Sequence, residues 1–131
     1  MKQTRQAIVV YGSDWLARTL VKPFDYYGEV LRVEHDLITE LVHVDDFRTL
    51  PAICRGRSWD IAFFCPSWYE DATGVIDAIR NVRKIYPDRH LVFLDSFAQT
   101  SSLFFDVLPS VDRYLKRLVL RDITAMKPMY H

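Results

Sequence analysis

Short apolar runs alternate along the chain with stretches that repeat at helical spacing. Ala7-Ile8-Val9-Val10-Tyr11 is a continuous run, rich in β-branched residues, that stops at Gly12. That is how a strand buried on both faces of a parallel sheet reads. Ser13 or Asp14 can cap the helix that follows, whose apolar positions Trp15, Leu16, Leu20 and Phe24 lie near helical spacing. Pro23 inside this pattern predicts a kink or restart, and Gly28 predicts a stop. Glu29-Val30-Leu31-Arg32-Val33-Glu34 alternates and predicts a second strand at a sheet edge, while His35 to Val44 shows no clear period. Asp45 or Asp46 then predicts the cap of a short helix through Leu50, Ile53 and Cys54, ended by Gly56.

The second half is clearer. Trp59 to Cys65 predicts a third strand, broken by Pro66. From Gly74 to Tyr86, Val75, Ile76, Ile79, Val82 and Ile85 fall on one face of a helix and Asp77, Arg80, Arg83 and Lys84 on the other. Leu91 to Leu94 predicts a fourth strand ending at Asp95, Leu103 to Leu108 a short helix, and Val111 to Leu115 a fifth strand. The order βαβαβαβαβ with short connections implies a parallel sheet with helices on both faces. The expected fold is therefore a three-layer, doubly wound α/β domain, Rossmann-like or flavodoxin-like, with a five-stranded parallel sheet. The chain of 131 residues suits one such domain, and no internal repeat or linker divides residues 1–131.

Charge and cysteine usage narrow the classes. Seventeen basic residues balance seventeen acidic ones, which argues against nucleic acid as a partner held by bulk charge and leaves room only for a local basic patch. Cys54 and Cys65 form no CxxC pair and the four histidines are scattered, so no metal site is expected and the thiols read as reduced core residues. The N-terminal stretch is polar and no apolar run approaches a membrane span, so the expected location is cytoplasmic.

Ligands of open α/β sheets bind beyond the carboxyl ends of the strands. Four segments fall there: Gly12-Ser13-Asp14-Trp15, Cys65-Pro66-Ser67-Trp68-Tyr69, Asp95-Ser96-Phe97-Ala98-Gln99-Thr100-Ser101-Ser102, and Lys116-Arg117. Each residue has two readings. Asp14 caps a helix or binds a ligand. Asp95 orients a ligand hydroxyl or caps the next turn. Trp15 and Trp68 stack on a sugar or a base, or pack at the rim. Lys116 pairs with Asp95 or Asp14, or is a solvated strand end. The stretch from Gln99 cradles an anion or caps a helix. Cys65 reads as a small buried hydrophobe. No GxGxxG, GxxxxGK[ST], GxSxG or HExxH motif is present, no complete catalytic set is visible, and no cofactor is expected.

Two resemblances follow from particular residues. The length, the βα units and a fifth strand ending Tyr114-Leu115-Lys116 are similar to bacterial response-regulator receiver domains. Those domains carry an acidic pair after strand one, where this chain has Tyr11-Gly12-Ser13-Asp14, and a phospho-accepting aspartate at the end of strand three, where it has Cys65. Arg117 stands where they have a proline. The resemblance therefore implies a degenerate, non-catalytic interaction module, a homodimer with Phe104, Phe105 and Tyr114 on its partner surface. The second resemblance runs through Leu91 to Ser102, Phe105 to Pro109, Val111 to Arg117 and Leu120-Arg121-Asp122. It is similar to the N-terminal half of bacterial glycosyltransferase-like proteins with two Rossmann domains. It implies an acceptor-side domain whose partners are a nucleotide sugar or a glycan acceptor in a longer chain. It also implies inactivity alone, because no donor-binding domain follows Met126 to His131. The second resemblance is the leading expectation and the receiver-like module its rival.

Overall fold

The computed structural model describes residues 4–96 and 104–116. Five strands run β1 (Arg5–Tyr11), β2 (Leu37–His43), β3 (Ile61–Cys65), β4 (His90–Asp95) and β5 (Arg113–Lys116). Four helices connect them: α1 (Trp15–Tyr26), α2 (Gly28–His35), α3 (Leu50–Arg55) and α4 (Ala72–Ile85). Single 3-10 turns span Phe47–Thr49 and Phe105–Ser110. The strands form one sheet of order β2-β1-β3-β4-β5, parallel throughout. This is the flavodoxin-like version of the doubly wound fold, with the switch point between β1 and β3.

The side-chain period of two splits the sheet between two cores. Ile8, Val10, Ala62, Phe64, Leu91 and Phe93 face α3, α4 and the 3-10 turns, where Phe47, Leu50, Val75, Ile79, Val82 and Val107 complete the larger core. Val9, Cys65, Val92 and Leu94 point the other way, onto Ala17 and Val21 of α1. Each fully buried aliphatic or phenyl group contributes about 1.5–3 kcal/mol relative to exposure, so the larger core dominates stability. Among the described residues, no helix is long and apolar enough to cross a membrane.

The connection between β1 and β2 departs from expectation. Glu29 to Glu34 is helical, inside α2, and the second strand lies in the stretch that showed no period. Glu29 and Arg32 pair across one turn of α2, a contact that only a helix brings together. Leu37, Thr39 and Leu41 are partly buried while Ile38 and Glu40 are exposed, so β2 does alternate, but weakly, as an edge strand. Pro23 sits inside α1 without ending it, and the interruption falls at Tyr27 (φ −105°, ψ 18°). Gly28 opens α2 and does not stop α1. The αL stop falls on Asp36 at φ 51°.

Candidate functional site

The carboxyl ends of β1 and β3 meet at the switch point. The Gly12 N–H donates to the Cys65 carbonyl at 2.9 Å, which extends the strand pairing one residue past β1. A Cβ on Gly12 would overlap the Oγ and backbone N of Ser67. Glycine is therefore needed here to let two backbones close on each other. Asp14 caps α1 by accepting from the Ala17 N–H at 2.6 Å, and its other oxygen accepts from the Trp68 N–H at 3.3 Å. The Asp14 N–H in turn donates to Ser67 Oγ at 3.1 Å. Glu70 adds a second brace: its carboxylate accepts from the Phe47 N–H at 2.8 Å and the Ser67 N–H at 3.3 Å, tying the β2 and β3 loops together. Burial pushes the Glu70 carboxyl above its ordinary pKa, against the opposing pull of those two N–H bonds.

Cys65 ends β3 with its side chain fully buried. Its Sγ lies 3.9 Å from the Ala17 carbonyl. Burial raises the thiol pKa far above the usual range; the charges of Asp14 and Asp95 add to this, and a hydrogen bond with Ser96 opposes it. A thiol held protonated by burial beside two carboxylates is a poor nucleophile and a poor metal ligand. Cys54, in the other core, is likewise pushed up to about 12, chiefly by burial.

Asp95 ends β4 and is also buried. The Tyr114 hydroxyl donates to its carboxylate. The Tyr114 ring stacks on Phe93 with centroids 5.2 Å apart and touches Phe105 at 5.5 Å. Lys116 is the register partner of Asp95 across β4 and β5. Ser96 Oγ donates to the Pro66 carbonyl at 3.5 Å. Phe97 and Gln99 lie outside the described residues. Gly12, Asp14, Ser67, Trp68 and Cys65 are thus brought together, Asp95 stands near them, and Trp15 turns away with 71% of its surface exposed. Trp68 is half-exposed at the rim and packs edge-on against Tyr69. Phe104, expected on a partner surface, is buried against Phe93 because its ring fills the larger core.

Two partners of Ser13, His43 and Asp45, escaped the sequence reading. The Ser13 hydroxyl donates to Asp45 at 2.6 Å and meets His43 Nε2 at 2.9 Å. The order is wrong for a nucleophile. A serine activated by histidine gives its proton to the ring, with the carboxylate on the far nitrogen. Here the hydroxyl is directed at the carboxylate, and Asp45 approaches the same Nε2 at 3.6 Å. The trio is a loop clasp between the ends of β1 and β2. Beside it lies an open groove of about 530 Å³ between α1 and the edge strand β2. Only the register Tyr11↔His43 could have joined these residues, and it depended on placing β2 correctly. Among the described residues, no group of three or more His, Cys, Asp or Glu side chains is placed to hold a metal.

The sequence matches no protein-family model and no curated protein. Solved structures do match. A CheY-like receiver domain from Methanospirillum hungatei is 12% identical, with 98% of this chain and 94% of that one aligned at a TM-score of 0.60. A signal receiver domain of an HD domain-containing protein from Pseudomonas fluorescens gives 12% identity, 99% and 93% coverage and a TM-score of 0.61. The response regulator TrrA of Thermotoga maritima, solved in complex with Mg(2+)-BeF, gives 14% identity, 95% and 97% coverage and 0.56. At these identities the likeness establishes the fold. The chain has the receiver fold.

This overturns the glycosyltransferase reading, and with it the nucleotide sugar as a partner. Within the described residues, positions of the segment that carried that resemblance serve packing and loop contacts of the receiver fold. Phe93 and Val107 are core residues, and Tyr114 stacks on Phe93. Asp112 is a structural clasp: it accepts from the Leu91 N–H at 2.8 Å and pairs with Arg83 at 2.7 Å. Those two contacts, with the backbone N–H bond the larger, hold its carboxyl below the usual range.

Proposed function

We propose that this chain is a receiver-like, non-catalytic interaction or signalling module, a single α/β domain over residues 1–131 that works in the cytoplasm through its surface, as a homodimer. The observation that carries this reading is the buried, protonated Cys65 at the end of β3, in the position where receiver domains keep a phospho-accepting aspartate. The residues around it support the same conclusion. Gly12 offers no side chain for a cation, both Asp14 oxygens are taken by backbone N–H groups, and Ser67 fills the space between the two loops. A hard divalent cation needs several free oxygens, and this donor set does not fit one. Phe105 and Leu108, on the 3-10 turn beside β5, form the exposed apolar surface that a second copy would cover.

Size-exclusion chromatography with light scattering tests this, run with and without magnesium and beryllofluoride. The expected result is one dimeric species in both conditions. A monomer in both, or an association state that follows beryllofluoride, would overturn the proposal.

A further inference from the structure

The groove between α1 and β2 has the chemistry of a small-ligand site distinct from the closed switch point. Its floor is the outer face of the sheet: Tyr11, Leu41 and His43, with the Tyr11 and His43 rings 5.4 Å apart. His43 is fixed there by the Ser13–Asp45 clasp. The wall is one face of α1, where Trp15, Arg18, Lys22 and Asp25 recur at intervals of three and four residues. Among the described residues, no carboxylate pairs with Arg18 or Lys22, whereas Arg32, Arg48, Arg57, Arg80 and Arg83 each have one. The Lys22 ammonium lies 5.9 Å from the Tyr26 ring centroid. In a chain of zero net charge this is a local basic patch beside an exposed indole.

We infer that the groove binds a nucleoside monophosphate. The exposed indole of Trp15 and the Tyr11–His43 pair supply faces on which a planar base can stack. Arg18 and Lys22, one helical turn apart, supply two cations for one phosphate. Trp15 and Lys22 are separated by roughly 10 Å along the helix axis, room for a ribose between base and phosphate. Asp25 stands one further turn along, where its carboxylate repels a longer phosphate chain. That selects a monophosphate over a triphosphate. A cavity of about 530 Å³ suits a ligand of this size and is small for a folded peptide.

The test is a titration of the whole chain with AMP and GMP, with adenosine, inorganic phosphate and ATP as comparators. Tryptophan fluorescence and amide chemical shifts of residues 11–25 and 41–45 are followed. The expected result is saturable binding of the monophosphates, with adenosine, phosphate and ATP each weaker by about tenfold, the effect of losing or opposing one charge-assisted contact. Arg18→Gln with Lys22→Gln should weaken AMP by at least about tenfold on the same grounds, and Trp15→Ala should remove the quench. Asp25→Asn should narrow the gap between AMP and ATP. All four positions are exposed, so circular dichroism of the variants should match the parent. Absence of saturable AMP binding, equal affinity for inorganic phosphate, or shifts confined to the β3–β4 loops would overturn the inference. Dimerisation at β5 is a separate readout, so either idea can fail without the other.

Discussion

Two crevices open beside β1, and they have opposite character. On the β3 side, Gly12 lies directly against Ser67, Asp14 spans both loops and a buried thiol fills the floor. On the β2 side, a groove of about 530 Å³ presents an exposed indole and two cations without carboxylate partners among the described residues. The first crevice spends its polar groups on holding the loops together. The second leaves them for solvent. The same strand therefore borders one crevice closed by its own hydrogen bonds and one left open.

Substitutions should separate the two sides by size of effect. The largest is expected for Cys65→Asp, which puts a carboxylate in a fully buried site between Asp14 and Asp95. It should cost about 3 kcal/mol or more in chemical denaturation, as an uncompensated buried charge does. A stable, phosphorylatable variant would contradict the closed crevice. Next, Gly12→Ala should cost about 1–3 kcal/mol through forced separation of the β1 and β3 loops. A neutral result would show that the loops are free to part. Asp14→Ala removes the α1 cap and the bond to Trp68, and should cost about 1–2 kcal/mol.

Glu70 gives a finer test through pH. Its folded pKa is raised above the unfolded value near 4.5, so its favourable contribution is fully present below that value. The contribution is lost as pH rises through the folded pKa. The stability advantage of the parent over Glu70→Gln should therefore be greatest at pH 4 or below and shrink toward neutral pH. An advantage that grows with pH would show that the N–H bonds to Phe47 and Ser67 outweigh burial. The smallest effects belong to the open side, where Trp15→Ala and Arg18→Gln should change stability by less than about 0.5 kcal/mol.

The sequence made the fold legible where burial was complete. Val9, Val10, Phe64 and Phe93 sit in continuous apolar runs because both faces of their strands are covered. It misled at the edge. β2 is half exposed, so its pattern is diluted, and Val30, Leu31 and Val33 of α2 offered a stronger strand signal nearby. The candidate site was readable as a set of loops but not as contacts. Asp14 and Ser67 were both singled out, yet the hydrogen bond between them depends on how closely Gly12 lets two backbones approach. His43 and Asp45 were invisible as partners of Ser13 until β2 was placed in register with β1.

With Cys65 at the end of β3, the chain should accept no phosphoryl group there. Intact mass spectrometry checks this after incubating the chain with magnesium and acetyl phosphate beside a phosphorylatable receiver domain as the positive control. The expected result is an unchanged mass for this chain under conditions that add a phosphoryl group to the control. A stoichiometric gain of one phosphoryl group, mapped to the residues around Cys65, Asp14 or Asp95, would contradict it.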